Sequence, residues 1–378
     1  TKTVTKLCFY LFLPNSGLCY KSIQHSCLRN AYSVTLRVLM YLALWTVILF
    51  TVSGNSLVII AIAHFKQLHT PTNYLTLSLA VADFLLGGFV MPPSVIRTVE
   101  KCWYFGDFFC KFHSSIDLLL CTTSILHLFF ISIDRYYAIC HPLTYKSKFT
   151  IVFTKKMIFI CWSLAAIYGF GMIFTGYNIK ANEDIFDVNN NCVGGCIIIQ
   201  SEISIIFISI ISFYIPGSVM VMIYLKIYLV AMKQVKSLRQ TNEAHRNEVS
   251  RKRETKAAKT LAIVVGTFLF CWSPFFLCYV IIPFIKFSVP LLLLQFLFWF
   301  SYTNSTFNPF IYAFFYKWFR KALKLIILGQ IFKSNSYMLS KEFCFRFTEH
   351  IPQQHWVRSN LMQFKCSPSD CGVFFAPL

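Results

Sequence analysis

Seven stretches of this chain are long and apolar enough to cross a lipid bilayer, which excludes nearly every soluble architecture. A hydrocarbon core about 30 Å thick needs about 20 mostly apolar residues per helix. Such stretches run near 38–63, 72–96, 107–140, 152–177, 199–230, 256–282 and 290–313. In lipid every backbone N–H and C=O must be satisfied inside its own segment. The expected fold is therefore an all-α membrane protein, a seven-transmembrane helix bundle. Only 13% of residues are charged, against about 25% in an average soluble domain. The net charge of +20 would suit a nucleic-acid binder. The Lys and Arg residues, however, cluster between and after the apolar runs, as membrane topology requires, and no nucleic-acid partner is expected.

Charge asymmetry sets the orientation. Lys146, Lys148, Lys155 and Lys156 mark the link between spans three and four, and Lys233–Lys259 is a basic link between spans five and six. The link between spans four and five carries Glu183, Asp184 and Asp187 instead. Basic links face the cytoplasm, so residues 1–37 read as an extracellular segment of a multi-pass plasma-membrane protein. Residues 38–313 form the bundle. Residues 314–333, containing Lys317-Trp318-Phe319-Arg320-Lys321-Ala322-Leu323-Lys324, read as an amphipathic helix lying against membrane lipid. Residues 334–378 read as a disordered cytoplasmic tail.

Span three carries the chemistry. A carboxylate inside a membrane helix costs about 2.5–3.5 kcal/mol on insertion scales, so Asp117 needs a reason to be there. Arg135 lies 18 residues further on, five helical turns or about 27 Å away on the same face. One face thus holds an anion near one surface and a cation near the other, the layout of a device that binds on one side and reports on the other. No Lys or Arg lies inside the outer halves of the other spans to pair with Asp117. Aromatic residues face it instead: Trp272, Phe275 and Phe276 on span six, Trp299 and Tyr302 on span seven. A carboxylate within an aromatic box suits an ammonium ligand, each ring face adding about 0.5–2 kcal/mol. Aromatic residues at helical spacing are more often packing than ligand cage; their place opposite Asp117 is what favours the amine.

A second polar set, Asp83, Asn55, Ser124, Asn304 and Asn308, lies at mid-depth in spans one, two, three and seven. Such groups should form one network. Asp83 has no cationic partner in the sequence around it, so a sodium ion is expected there as an allosteric ligand, with hydrogen-bonded glue as the plainer reading. No other cofactor and no other metal site is expected. Arg135 needs a partner of its own, either adjacent Asp134 or Glu254 at the start of span six. A pair made in one state and broken in another is a two-state element. Pro216, Pro274 and Pro309 each remove a backbone hydrogen bond and bend spans five, six and seven. Cys110 heads span three, while Cys192 and Cys196 lie in the outer link between spans four and five. In an oxidising compartment a bridge is expected there, pinning that link over the mouth of the bundle.

Together these residues resemble a rhodopsin-like (class A) G protein-coupled receptor over residues 38–332. The motifs are Gly54-Asn55, Leu79 to Asp83, Cys110, Asp134-Arg135-Tyr136, Trp162, Cys271-Trp272-Ser273-Pro274 and Asn308-Pro309-x-x-Tyr312. Asp117 with Trp299 and Tyr302 is similar to the biogenic-amine receptors. The run from Tyr302 to Pro309 is similar to the trace amine-associated receptors. Cys192-Val193-Gly194-Gly195-Cys196 and the run from Lys101 to Gly106 look most like that family's subtype one.

The resemblance implies that Asp117 pairs the ligand amine, that Tyr302 supports its carboxylate, and that Trp272 is a toggle beneath the ligand. It implies a packing switch of Pro216, Ile125 and Phe268, and a cytoplasmic switch of Asp134, Arg135, Tyr224, Glu254 and Tyr312. It also implies a Cys110–Cys196 bridge with Cys19–Cys192 as a second, and coupling to a stimulatory heterotrimeric G protein that raises cyclic AMP. Cys121 stands below the acid where Ser is frequent. Ile208 replaces a hydroxyl residue on span five, leaving Ser212 as the hydroxyl on that face. These departures favour less polar aryl-alkyl amines over catechols. The competing readings are a receptor for another biogenic amine and a receptor-like product that does not signal. An opsin would need a Lys where Tyr302 stands. A transporter would need related halves, and an enzyme a nucleophile with its base; none is seen in the sequence.

Overall fold

Among the described residues each of the apolar runs forms a helix. The computed structural model describes residues 17–23, 25–29, 32–174, 192–196, 202–240, 244–284 and 289–329. The membrane helices are α1 (Val34–His64), α2 (Pro71–Glu100), α3 (Asp107–Cys140), α4 (Ile151–Phe174), α5 (Glu202–Ser209, continuing through Ile210–Tyr214 and Ile215–Gln240), α6 (Ala244–Ile281) and α7 (Leu291–Phe315), followed by the short α8 (Lys317–Ile327). Six of the seven are long and apolar enough to cross a membrane by length and composition. α7 has the length, 25 residues, but its middle carries Ser301, Thr303, Asn304, Ser305, Thr306 and Asn308. These polar residues point inward: all but Thr303 are buried. Large apolar side chains are exposed on the outward faces of the other helices: Leu42 and Leu49 on α1, Phe159 and Ile167 on α4, Phe207 on α5 and Phe270 on α6.

In the bundle α1 touches α2 and α7, α5 touches α6, and α6 touches α7. α3 joins the two sides by packing against α2, α4 and α5. Close approach of α3 and α4 depends on Gly169, where an added Cβ would sit 2.7 Å from the Ser115 carbonyl oxygen. α1 meets α7 at Gly54, where a Cβ would lie 3.0 Å from the Pro309 side chain.

Two helices carry a π-turn just before proline. In α5 the turn Ile210–Tyr214 precedes Pro216, and the Ile215 N–H donates to the Ile210 carbonyl. In α2 the turn Leu86–Val90 precedes Pro92 and Pro93, and the Met91 N–H donates to the Leu86 carbonyl. Proline lacks an N–H and crowds the carbonyl four residues back, so the ladder shifts register there. Span two also runs further than expected: the helix continues past 96 to Glu100, which puts Arg97 and Glu100 on it.

The end of the bundle nearest residue 17 is stapled. Leu18 pairs antiparallel with Leu28, and the Cys19 N–H donates to the Cys27 carbonyl at 2.9 Å. Val193 adds alongside Ser26, with the Cys27 N–H donating to the Val193 carbonyl at 3.0 Å. Cys110 is bonded to Cys196, Cys27 to Cys192, and Cys19 to Cys102. The expected Cys19–Cys192 bridge is therefore corrected. The strand at Val193 lies beside Cys27, so Cys192 meets Cys27, while Cys19 on the other strand meets Cys102 beyond α2. Glu100 fastens the same segment: it accepts from Arg29 Nε at 2.6 Å, from the Tyr41 hydroxyl at 3.0 Å and from Arg37.

Within the segment 314–333, Lys317–Ile327 form α8, and residues 330–333 lie outside the described residues. The expected tail, 334–378, lies outside the described residues, as do Glu183, Asp184 and Asp187.

Candidate functional site

Below the stapled end a cavity of about 300 Å³ opens between α3, α4, α5, α6 and α7. Asp117 lines it from α3. The Tyr302 hydroxyl on α7 donates to Asp117 Oδ1 at 2.7 Å, and the Cys121 thiol approaches the same oxygen at 3.4 Å. Both bonds fall on Oδ1, which leaves Oδ2 as the oxygen that can take a cation from the cavity.

Cys121, Ser212, Trp272, Phe275 and Phe276 line the cavity with Asp117. Phe276 stacks on Phe213 with ring centroids 4.8 Å apart and sits 5.7 Å from Trp272. Trp272 is buried and its indole N–H has no partner among the described residues. Ser212 is not free: its hydroxyl is 3.0 Å from that of Tyr168 on α4.

Trp299 and Tyr302 stand behind the wall. The Trp299 indole N–H donates to Thr98 at 2.9 Å, and Phe298 takes the place in the lining that the spacing assigned to Trp299. Sequence reasoning missed Arg97, which also lines the cavity; its place one residue beyond the assumed end of span two hid it. It missed His113 as well, one turn above Asp117, whose Nε2 is 2.9 Å from the Val90 carbonyl at the π-turn of α2. A polar residue at i−4 from Asp117 was the available signal.

Asp83 lies fully buried deeper in the bundle. Its Oδ1 accepts from Ser305 at 2.7 Å and Ser124 at 3.1 Å, and its Oδ2 accepts from Asn308 at 2.7 Å. Ser305 was not anticipated. Asn304 is buried, but its amide N has no partner among the described residues. The Asn55 amide donates to the Thr51 and Ser305 carbonyls, leaving its Oδ1 without one. The carboxylate and two hydroxyls are oxygen donors of the kind hard cations take, and Asn55 Oδ1 is a buried oxygen left without a donor among the described residues, whereas the Asn304 amide N is itself a donor and would not ligate a cation. The residues therefore fit a small hard cation.

At the other end of α3, Arg135 pairs with Asp134 through Nε at 2.9 Å and Nη2 at 2.5 Å. Asp134 is fully buried and also accepts from Tyr145 and Thr72, each at 2.7 Å. Thr72 meets Arg135 too. Neither Thr72 nor Tyr145 was anticipated. The Glu254 side chain lies outside the described residues. Ile125 and Phe268 share one buried cluster with Trp272, and Pro216 is buried on α5. Tyr312 is buried against Tyr316 and Phe319, and Tyr224 is half-buried, its ring 6.4 Å from that of Tyr228.

This arrangement has known relatives. The sequence model of the 7 transmembrane receptor (rhodopsin family) matches residues 54–312. Trace amine-associated receptor 1 of Macaca mulatta is 51% identical over 324 residues, 84% of this chain and 96% of the relative. The same receptor of Homo sapiens is 49% identical over the same shares. Trace amine-associated receptor 4 of Rattus norvegicus is 45% identical over 332 residues, 86% of this chain and 95% of the relative. These are receptors and not enzymes. With seven membrane helices, a disulfide-stapled end and polar knots at three depths of α3, the chain belongs to the rhodopsin-like G protein-coupled receptors and, among them, to the trace amine-associated receptors.

Proposed function

We propose that this receptor binds an aryl-alkyl amine whose ammonium pairs with Asp117, and that it raises cyclic AMP through a stimulatory G protein at the plasma membrane. The carrying observation is the carboxylate itself: Asp117 is held at Oδ1 by Tyr302, opens into the cavity, and faces the rings of Trp272, Phe275 and Phe276. An ammonium there gains the charge pair and the ring faces together. Ile208 and the hydroxyl pair of Ser212 with Tyr168 line or border the far wall, which suits a ring with little polar decoration better than a catechol.

The N-terminal hairpin reads as extracellular, since disulfides persist in an oxidising compartment. The Asp134–Arg135 knot then lies at the cytoplasmic end, where the G protein would dock and where the pair could be exchanged for another partner. Asp83, Ser124 and Ser305 would hold a sodium ion, with Asn308 and Asn304 completing the polar shell; bound, the ion supplies a positive charge opposite Asp83 that favours one packing of the bundle.

Cells expressing the full chain, exposed to a panel of aryl-alkyl amines, should raise cyclic AMP where untransfected cells do not. A receptor that reaches the surface and answers none of them would overturn the proposal.

A further inference from the structure

The cavity holds one charged side chain that amine binding leaves unused. Arg97 lines it together with Asp117. Among the described residues Arg29 and Arg37 share Glu100, Arg135 has Asp134, and Arg320 donates to the Ala313 and Phe314 carbonyls. Among the described residues Arg97 has no carboxylate at ion-pair distance. Glu100 is three residues further along α2 but is committed to Arg29, Arg37 and Tyr41.

Arg97 lies beside the disulfide, its Nη1 4.0 Å from Cys196 Sγ. Cys196 is bonded to Cys110, which precedes Asp117 by two helical turns, about 10 Å along α3. Arg97 thus stands between Asp117 and the stapled end. The rings of Trp272, Phe275 and Phe276 lie on α6, so an aryl group seated there with its nitrogen at Asp117 would leave the nitrogen's substituents on the side away from α6, where α2 brings Arg97.

We infer that Arg97 is a charge filter at the cavity mouth, admitting monocationic amines and rejecting those whose nitrogen substituent carries a second cation. The inference rests on Asp117 pairing the ligand ammonium. A like charge fixed in a confined, poorly hydrated site discriminates by repulsion and needs no added attraction to the favoured ligand.

Two probes differ only at the end of that substituent: N-butyl-2-phenylethylamine ends in a methyl, and N-(3-aminopropyl)-2-phenylethylamine ends in an ammonium. The wild type should favour the butyl amine by at least about tenfold in cyclic AMP potency, as like charges in such a site require. Arg97→Gln should narrow the ratio to about threefold or less, and Arg97→Lys should keep it, because the charge remains. If Arg97→Gln fails to reach the surface, the same ratio is read from Arg97→Met. A purely structural role would weaken both amines alike and leave the ratio intact, which would overturn the inference. A wild type that answers the butyl amine but shows no preference would overturn it alone; a wild type deaf to both would overturn the amine reading as well.

Discussion

The Tyr302 hydroxyl reaches across from α7 to donate to Oδ1 of Asp117 at 2.7 Å. The two residues are 185 positions apart in sequence, and the bond ties down one oxygen of a carboxylate that lines the cavity. Tyr302→Phe keeps the ring and removes the donor. A hydrogen bond to a charged group contributes about 1.5–3 kcal/mol, so amine potency should fall by roughly ten- to a hundredfold with surface expression unchanged. Unaltered potency would show that Asp117 is held by other means.

Gly169 lets α3 and α4 approach. In Gly169→Ala the new Cβ would fall 2.7 Å from the Ser115 carbonyl and 3.0 Å from the Leu119 N. Both are backbone atoms, so the helices must separate, at a cost of about 1–3 kcal/mol. Gly266 in α6 offers open space, and Gly266→Ala should be neutral or stabilise by up to about 1 kcal/mol. Thermal unfolding of the detergent-solubilised receptor compares the two.

What the sequence disclosed and what it hid divide along a physical line. Helix positions and the faces of α3 follow from local rules of period and transfer energy, so Asp117, Arg135 and Asp83 were legible as intramembrane charges needing partners. The identity of those partners is a matter of tertiary contact. Ser305 on Asp83, and Thr72 and Tyr145 on Asp134, are ordinary helix residues until the helices are packed. Arg97 was hidden by a boundary: four more residues of helix turn an interfacial arginine into a cavity wall. The disulfide pairing was hidden by the small hairpin at residues 17–29, which has no Asn-Gly or Asp-Gly turn to announce it and is fixed by pairing with Val193.

That pairing is open to direct check. Peptide mapping under non-reducing conditions should recover Cys19 linked to Cys102 and Cys27 linked to Cys192. Cys27→Ser and Cys192→Ser should each cost about 2–4 kcal/mol, and the double variant no more than either single one, because the two residues act as a unit. A recovered Cys19–Cys192 peptide would contradict the hairpin register.

Sodium at Asp83 would couple to the amine site. Replacing choline chloride with sodium chloride at constant ionic strength should weaken amine affinity about fivefold or more, a coupling of about 1 kcal/mol. Asp83→Asn should abolish the difference. Equal sodium dependence in that variant would place the ion elsewhere.

The central claim is that Asp117 anchors the ligand ammonium, and Asp117→Asn tests it with almost no change in size. Removing one partner of a buried charge pair costs roughly 2–5 kcal/mol. Amine potency in the cyclic AMP assay, measured at matched surface expression, should therefore fall at least about thirtyfold. A variant that responds with wild-type potency would contradict the account.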